Sequence, residues 1–299
     1  GWRDWLADQA DRRERDGLRR SLRPRGADDD VVDLAGNDYL GLSRHPAVVA
    51  AAAEAATTWG GGAGASRLVT GTLQLHADLE AALASYLAQP AALVFSTGYH
   101  ANLSVVSALA DRDCLVVSDA HIHASLVDAV RLSRAAFTVV PHNDTDAVRE
   151  ALAAADGRRT LVLAESVYSV LGDEAPLVEL AGLCEEYGAL LVVDEAHGLG
   201  VHGAGVVHRL GLAGLPHVVV TATLSKALGS QGGAVLGSPE IVEHLVNRAR
   251  PFIFDTALAP SPAAAALAAL GILDEQPELA TLEAELATAG GRAGIAGVL

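Results

Sequence analysis

Lys226 is the only lysine in the chain, and every other Lys or Arg position is arginine. It stands in Thr221-Ala222-Thr223-Leu224-Ser225-Lys226-Ala227-Leu228-Gly229, after the apolar run His217-Val218-Val219-Val220. Arginine replaces lysine as a surface charge, but a guanidinium cannot condense with an aldehyde. A single retained amine therefore points to Schiff-base chemistry. A drift toward arginine, in a chain rich in Ala and Gly and without Met, accounts for the missing lysines. It does not account for a survivor between two hydroxyls and a glycine turn.

Other reactive side chains follow short apolar runs in the same way. Ser96-Thr97-Gly98-Tyr99 comes after 91–95 and opens a helix, so its free main-chain N–H groups can hold an anion; the same residues also serve as ordinary caps. After 114–118 come Asp119, His121 and His123. A histidine there is commonly structural, yet a flat imidazole at a strand end can stack on a planar ring. After 160–164 comes Glu165-Ser166-Val167-Tyr168-Ser169, and after 189–193 Asp194-Glu195-Ala196-His197-Gly198. An Asp ending an apolar strand is costly to bury unless it meets a cation.

Two competing motifs fail. Asp194-Glu195-Ala196-His197 resembles a helicase acidic motif, but such enzymes need Gly-Lys-Ser/Thr, and Lys226 lies between Ser225 and Ala227. Gly198-Leu199-Gly200-Val201-His202-Gly203 fits G-x-G-x-x-G. However, four residues separate it from its strand, several strands precede it and no clear helix follows, which argues against a dinucleotide site.

The elements that must position these residues are regular. Apolar runs at 91–95, 114–118, 136–140, 160–164, 189–193, 217–221 and 234–236 alternate with helical segments at 100–110, 123–133, 145–154 and 176–187. That pattern predicts an α/β fold with a mostly parallel sheet and helices on both faces. Open sheets of this kind bind ligands at the C-terminal ends of their strands. Upstream, Trp2 to Arg20 predicts an amphipathic, Arg-rich helix and Val31 to Leu34 a short strand. Helices are expected from Pro46 to about Thr58 and from Gln74 to about Leu87, flanking the loop Gly60 to Arg67. Beyond Pro251 the reading is helical to Leu299.

Composition bounds the function. The 299 residues suit one large domain with an appendage, or two domains. Cys114 and Cys184 form neither a disulfide framework nor metal-ligand spacing, and no metal site is expected. With no secretory signal read at the charged N-terminus and no apolar run long enough for a bilayer, a cytoplasmic, non-membrane protein is expected. The net charge of −16 argues against nucleic acid. Together the strand ends describe a ligand with a phosphate, a planar heteroaromatic cation and an aldehyde, which is pyridoxal 5′-phosphate.

The sequence resembles the α-oxoamine synthases, fold-type I pyridoxal-phosphate-dependent transferases that condense an amino acid with an acyl thioester and release carbon dioxide. The resemblance runs from about Asp16 to about Pro260. It is carried by Asn37-Asp38-Tyr39-Leu40-Gly41-Leu42-Ser43-Arg44-His45-Pro46, Gly64-Ala65-Ser66-Arg67-Leu68-Val69-Thr70-Gly71, Asp194 to Gly198, Thr223 to Lys226, and Arg250-Pro251-Phe252-Ile253-Phe254-Asp255-Thr256. This last segment is similar to the biotin-biosynthesis branch, which joins L-alanine to a pimeloyl thioester of coenzyme A or acyl carrier protein.

The resemblance implies roles. Lys226 holds the cofactor and removes the substrate Cα proton, Asp194 keeps the ring nitrogen protonated, and His123 stacks on the ring. His197 and Ser169 bind the ring hydroxyl; Gly98, Tyr99 and Thr223 bind the phosphate. Thr256 serves the other subunit of a homodimer with a shared site, and Arg19 and Asn37 contact substrate. It also implies an N-terminal segment (1–45), a large cofactor domain (46–250) and the start of a small C-terminal domain (251–299). The family's continuation, with its Pro-rich turn and carboxylate-binding Arg, is not in this sequence, and Val170-Leu171 replaces a frequent Met-Asp pair. Glycine-using sibling synthases, an aminotransferase and a non-catalytic partner subunit remain as alternative readings.

Overall fold

The computed structural model describes residues 1–27, 29 and 33–280. Contacts divide the chain into two compact units, Gly1–Ala35 and Gly36–Leu299. In the first, helix α1 (Trp2–Arg15) buries none of its residues and gathers Arg12, Arg13 and Arg15 in its last turn, where they complement the carbonyl end. It ends before the expected Arg20. Asp16 caps it, and Gly17 turns the chain at φ +68°, a conformation glycine adopts without strain. The strand expected at Val31 to Leu34 falls partly outside the described residues; Asp33 and Leu34 are not in a strand. Residues 281–299 of the expected helical tail also lie outside them.

The second unit is built on seven strands: β1 (Ala91–Phe95), β2 (Cys114–Asp119), β3 (Ala136–Val140), β4 (Arg159–Glu165), β5 (Leu190–Asp194), β6 (Val218–Thr223) and β7 (Gly233–Gly237). Their order is β1-β7-β6-β5-β4-β2-β3. Only β7 runs against its neighbours. Every apolar run read as a strand forms one, because a strand covered on both faces needs apolar residues at successive positions. In β5, Leu191 and Val193 enter one core and Val192 the other; in β6, Val218 and Val220 oppose Val219 in the same way.

Helices α2 (Pro46–Trp59), α3 (Gln74–Tyr86), α4 (Gly98–Leu109), α5 (Ala124–Ser133), α6 (Thr145–Ala153), α7 (Leu177–Tyr187), α8 (Val206–Arg209), α9 (Pro239–Arg248), α10 (Arg250–Ile253) and α11 (Pro260–Glu275) complete it. One sheet face carries Leu79 and Leu83 of α3, Leu177 and Cys184 of α7 and Ala266 and Leu270 of α11. The other carries Ala101 and Val105 of α4, Leu126 and Ala129 of α5 and Leu245 of α9. Helix α11 also packs along α2. Because six strands share a direction, Phe95, Asp119, Val140, Glu165, Asp194 and Thr223 all end at one edge of the sheet, with a helix or loop starting beyond each.

Candidate active site

A cleft of about 250 Å³ opens at that edge, and Gly98, Asn102, His123, Glu165, Asp194 and Lys226 are among its lining residues. The loop from β1 into α4 supplies its first wall. Thr97 caps α4 by accepting from the His100 N–H at 3.0 Å. The first-turn N–H groups of Gly98 and Tyr99, which have no intrahelical acceptor, are left bordering the cleft. Gly98 lies so close to β6 that a Cβ there would stand 2.9 Å from the Thr223 Cβ. The Tyr99 hydroxyl bonds Asp128.

Asp194 ends β5 beside Glu165 of β4 and Thr221 of β6. Its Oδ1 accepts from the Ala196 N–H at 2.9 Å, and its Oδ2 from Asn102 Nδ2 at 2.7 Å. Asn102 Nδ2 also donates to Ser125 Oγ at 2.9 Å. Ser125 Oγ in turn lies 2.6 Å from His123 Nδ1, which already accepts from the Ser125 N–H. His123 is therefore both the N-cap of α5 and an exposed ring at the cleft. Asn102 is 4 % exposed, and the sequence reading missed it. A polar residue on the inward face of α4, next to Ala101 and Val105, was the available signal.

Lys226 follows β6 in a turn closed by Gly229, at φ +59°. A Cβ on Gly229 would lie 2.2 Å from the Ser43 N, so this turn packs directly on the Leu42–Ser43 backbone. Nζ lies 2.7 Å from His197 Nε2. Burial lowers the Lys226 pKa, against the opposing charges of Asp194 and Glu165. Burial, followed by the charges of Lys226 and His123, lowers His197 to about 4, so its imidazole is neutral near pH 7. Tyr39, also missed by the sequence reading, contacts His197 Nδ1 at 2.7 Å.

Glu165 is a third residue whose part is seen only in the structure. Its Oε2 accepts from the Ser169 N–H at 3.1 Å. Burial first, then Asp194, pushes its pKa up to about 7, against the Ser169 and His123 N–H groups and Lys226. Glu195, by contrast, is structural: buried at 1 % exposure, it accepts from Ser166 Oγ and the Val207 N–H, each at 2.7 Å.

The expected residues separate into two sets. Gly98, Tyr99, His123, Asp194, His197, Thr223 and Lys226 line the cleft. Ser169 is tied to it through Glu165 without lining it, Asn37 is exposed and bonded to Tyr39, and Thr256 is exposed. Arg19 belongs to the first unit, exposed and paired with Glu14 at 3.1 Å.

A phosphorylated aromatic aldehyde fits this donor set. Thr221 Oγ1, Asn102 Oδ1 and Glu165 Oε1 are buried at the cleft without hydrogen-bond partners among the described residues, and a group of mixed polarity would satisfy such atoms. The helix terminus offers an anion site, Asp194 an acceptor and Lys226 an amine.

Comparison with known proteins agrees. The family model for aminotransferase class I and II matches residues 29–288. An 8-amino-7-oxononanoate synthase from Mycolicibacterium smegmatis is 57% identical over 294 residues, 96% of this chain and 77% of the relative. A serine palmitoyltransferase from S. paucimobilis, solved with bound pyridoxal phosphate and myriocin, superposes with a TM-score of 0.80 at 32% identity, covering 90% of this chain and 74% of that one. The Sphingomonas wittichii serine palmitoyltransferase gives a TM-score of 0.76 at 35% identity over 80% of this chain. This chain covers less than two thirds of that structure, 61%.

Proposed function

The chain belongs to the class I and II aminotransferase family, and from that premise we propose that it is a pyridoxal-phosphate-dependent C-acyltransferase of biotin biosynthesis. It joins L-alanine to a pimeloyl thioester, releasing carbon dioxide and the thiol and yielding 8-amino-7-oxononanoate. The observation that carries this reading is the single lysine, held in one cleft with Asp194 and the N-terminus of α4.

When bound, pyridoxal phosphate supplies an aldehyde for the amine and a cationic ring that draws electrons from the substrate Cα. The side chains do the rest. Gly98 and Tyr99 N–H groups and the Thr223 hydroxyl hold the phosphate. Asp194, oriented by Asn102 and the Ala196 N–H, keeps the proton on the ring nitrogen. His123 covers one ring face, and His197 and Ser169 bind the ring hydroxyl.

Lys226 Nζ takes the Cα proton from alanine and returns a proton to the product carbon. Its pKa, lowered by burial, keeps more of the amine in the basic form at neutral pH. Asn37 and Arg19 bind substrate. The acyl group arrives on coenzyme A or acyl carrier protein, and the site is shared in a homodimer through Thr256. The segment from residue 251 begins a small domain beside the cofactor domain of 46–250. Among the described residues no helix is long and apolar enough to cross a membrane, and we place the enzyme in the cytoplasm.

The test is visible absorbance of the full chain with pyridoxal phosphate, then with L-alanine, then with pimeloyl thioester. The expected result is a cofactor band that shifts with alanine and changes again with thioester, with carbon dioxide released. A band that responds to glycine but not to alanine would move the chain to the glycine-using synthases. No cofactor band at all would overturn the assignment of Lys226.

A further inference from the structure

Four side chains form one hydrogen-bonded line that enters the cleft from the segment before α2. Lys226 Nζ lies 2.7 Å from His197 Nε2, His197 Nδ1 lies 2.7 Å from the Tyr39 hydroxyl, and that hydroxyl donates to Asn37 Oδ1 at 3.0 Å. Tyr39 is 158 residues from His197 in sequence and meets it because the Gly229 turn packs on the backbone just after Tyr39.

With the Lys226 amine charged, the direction of every hydrogen in this line follows. A charged lysine amine only donates. A neutral imidazole carries one hydrogen, so a donor facing Nε2 requires that hydrogen to be on Nδ1. Nδ1–H must then donate to the Tyr39 oxygen, and the Tyr39 hydrogen goes on to Asn37. Burial raises the Tyr39 pKa to about 12, so the phenol keeps that hydrogen at neutral pH.

We propose that Tyr39 is a positioning residue for Lys226: by accepting from His197 Nδ1 it fixes the tautomer whose Nε2 lone pair faces the amine, and so sets how strongly Nζ holds its proton. The proposal builds on the reading of Lys226 as the reactive amine and goes beyond the roles assigned above. Replacing Tyr39 by Phe leaves Nδ1–H without an acceptor in a half-buried position, which disfavours that tautomer. The hydrogen moves to Nε2, where it repels an ammonium and donates to a neutral amine. The Lys226 pKa therefore falls. The charges bearing on the pair come from Asp194 at the end of β5, Glu165 at the end of β4 and His123 at the start of α5, and Tyr39→Phe leaves all three in place.

Because the chain holds one lysine, labelling with 13Cε-lysine gives a single signal, which can be titrated in the full chain freed of cofactor. In Tyr39→Phe the midpoint moves down on the order of one pH unit, and the 15N shifts of His197 change from an Nδ1–H to an Nε2–H pattern. Asn37→Ala leaves the Tyr39 ring in place and moves the midpoint the same way by less; it carries the test if Tyr39→Phe fails to fold. A midpoint and 15N pattern like those of the wild type in the folded variants overturn the proposal. No substrate enters this measurement, so its failure leaves the acyltransferase reading standing, and failure of that reading leaves this result interpretable.

Discussion

The side-chain amide of Asn102 donates to Asp194 Oδ2 at 2.7 Å across 92 residues of sequence. The same nitrogen reaches Ser125 Oγ at 2.9 Å, so a buried residue of α4 ties the acid at the end of β5 to the hydroxyl that holds His123. The two ring contacts assigned to the cofactor are thus fixed by one amide. Asn102→Ala leaves a buried carboxylate oxygen short of a donor. The expected cost is about 1–3 kcal/mol of stability by urea unfolding. Activity falls between about ten- and a hundredfold, as Asp194 and His123 lose their common anchor.

Lys226→Arg retains the charge and removes the amine. Turnover falls by at least about a thousandfold, because both the attachment of cofactor and the proton transfer need that amine. A chain that keeps its melting temperature but forms no visible cofactor band separates this loss from unfolding. Residual condensation above background would count against the role of Lys226.

What could be read from the sequence follows from how each feature is encoded. The strands from Ala91 to Gly237 were legible because burial on both faces writes itself as an apolar run. Asp194 and Lys226 were legible because each follows such a run and has chemistry few other residues can supply. Asn102, Tyr39 and Glu165 were not. Asn102 and Tyr39 take their parts from partners 92 and 158 residues away, which no local pattern records. Glu165 was noted only as the residue after a strand, and its burial beside Asp194 appears once β4 and β5 are paired. The end of α1 was misjudged because the helical pattern through Leu18 outweighed the stop at Asp16 and Gly17.

Gly98→Ala tests the contact between α4 and β6. The added methyl would stand 2.9 Å from the Thr223 Cβ, closer than side chains tolerate, so the helix terminus must move away from the strand. Overpacking of this kind costs about 1–3 kcal/mol. The Gly98 and Tyr99 N–H groups proposed to hold the phosphate shift with it, and pyridoxal phosphate is expected to bind about tenfold or more weakly in an absorbance titration. Unchanged affinity would show that these N–H groups do not hold the phosphate.

Glu165 gives the fold a pH dependence with a definite sign. Burial and Asp194 raise its pKa from 4.5 to about 7 in the folded chain, so between those values the folded state binds more protons than the unfolded one. Stability from this group is therefore fully present below about pH 4.5 and is lost as pH rises through 7. Glu165→Gln keeps an acceptor for the Ser169 N–H but cannot ionise. Its stability relative to the wild type should increase from pH 5 to pH 7, by about 2 kcal/mol, in urea unfolding at a series of pH values. A constant difference across that range would mean that Glu165 ionises in the folded chain as it does in the unfolded one. In that case Lys226 would face two carboxylates at neutral pH, and the amine would be held charged more strongly than a proton-transfer base can use.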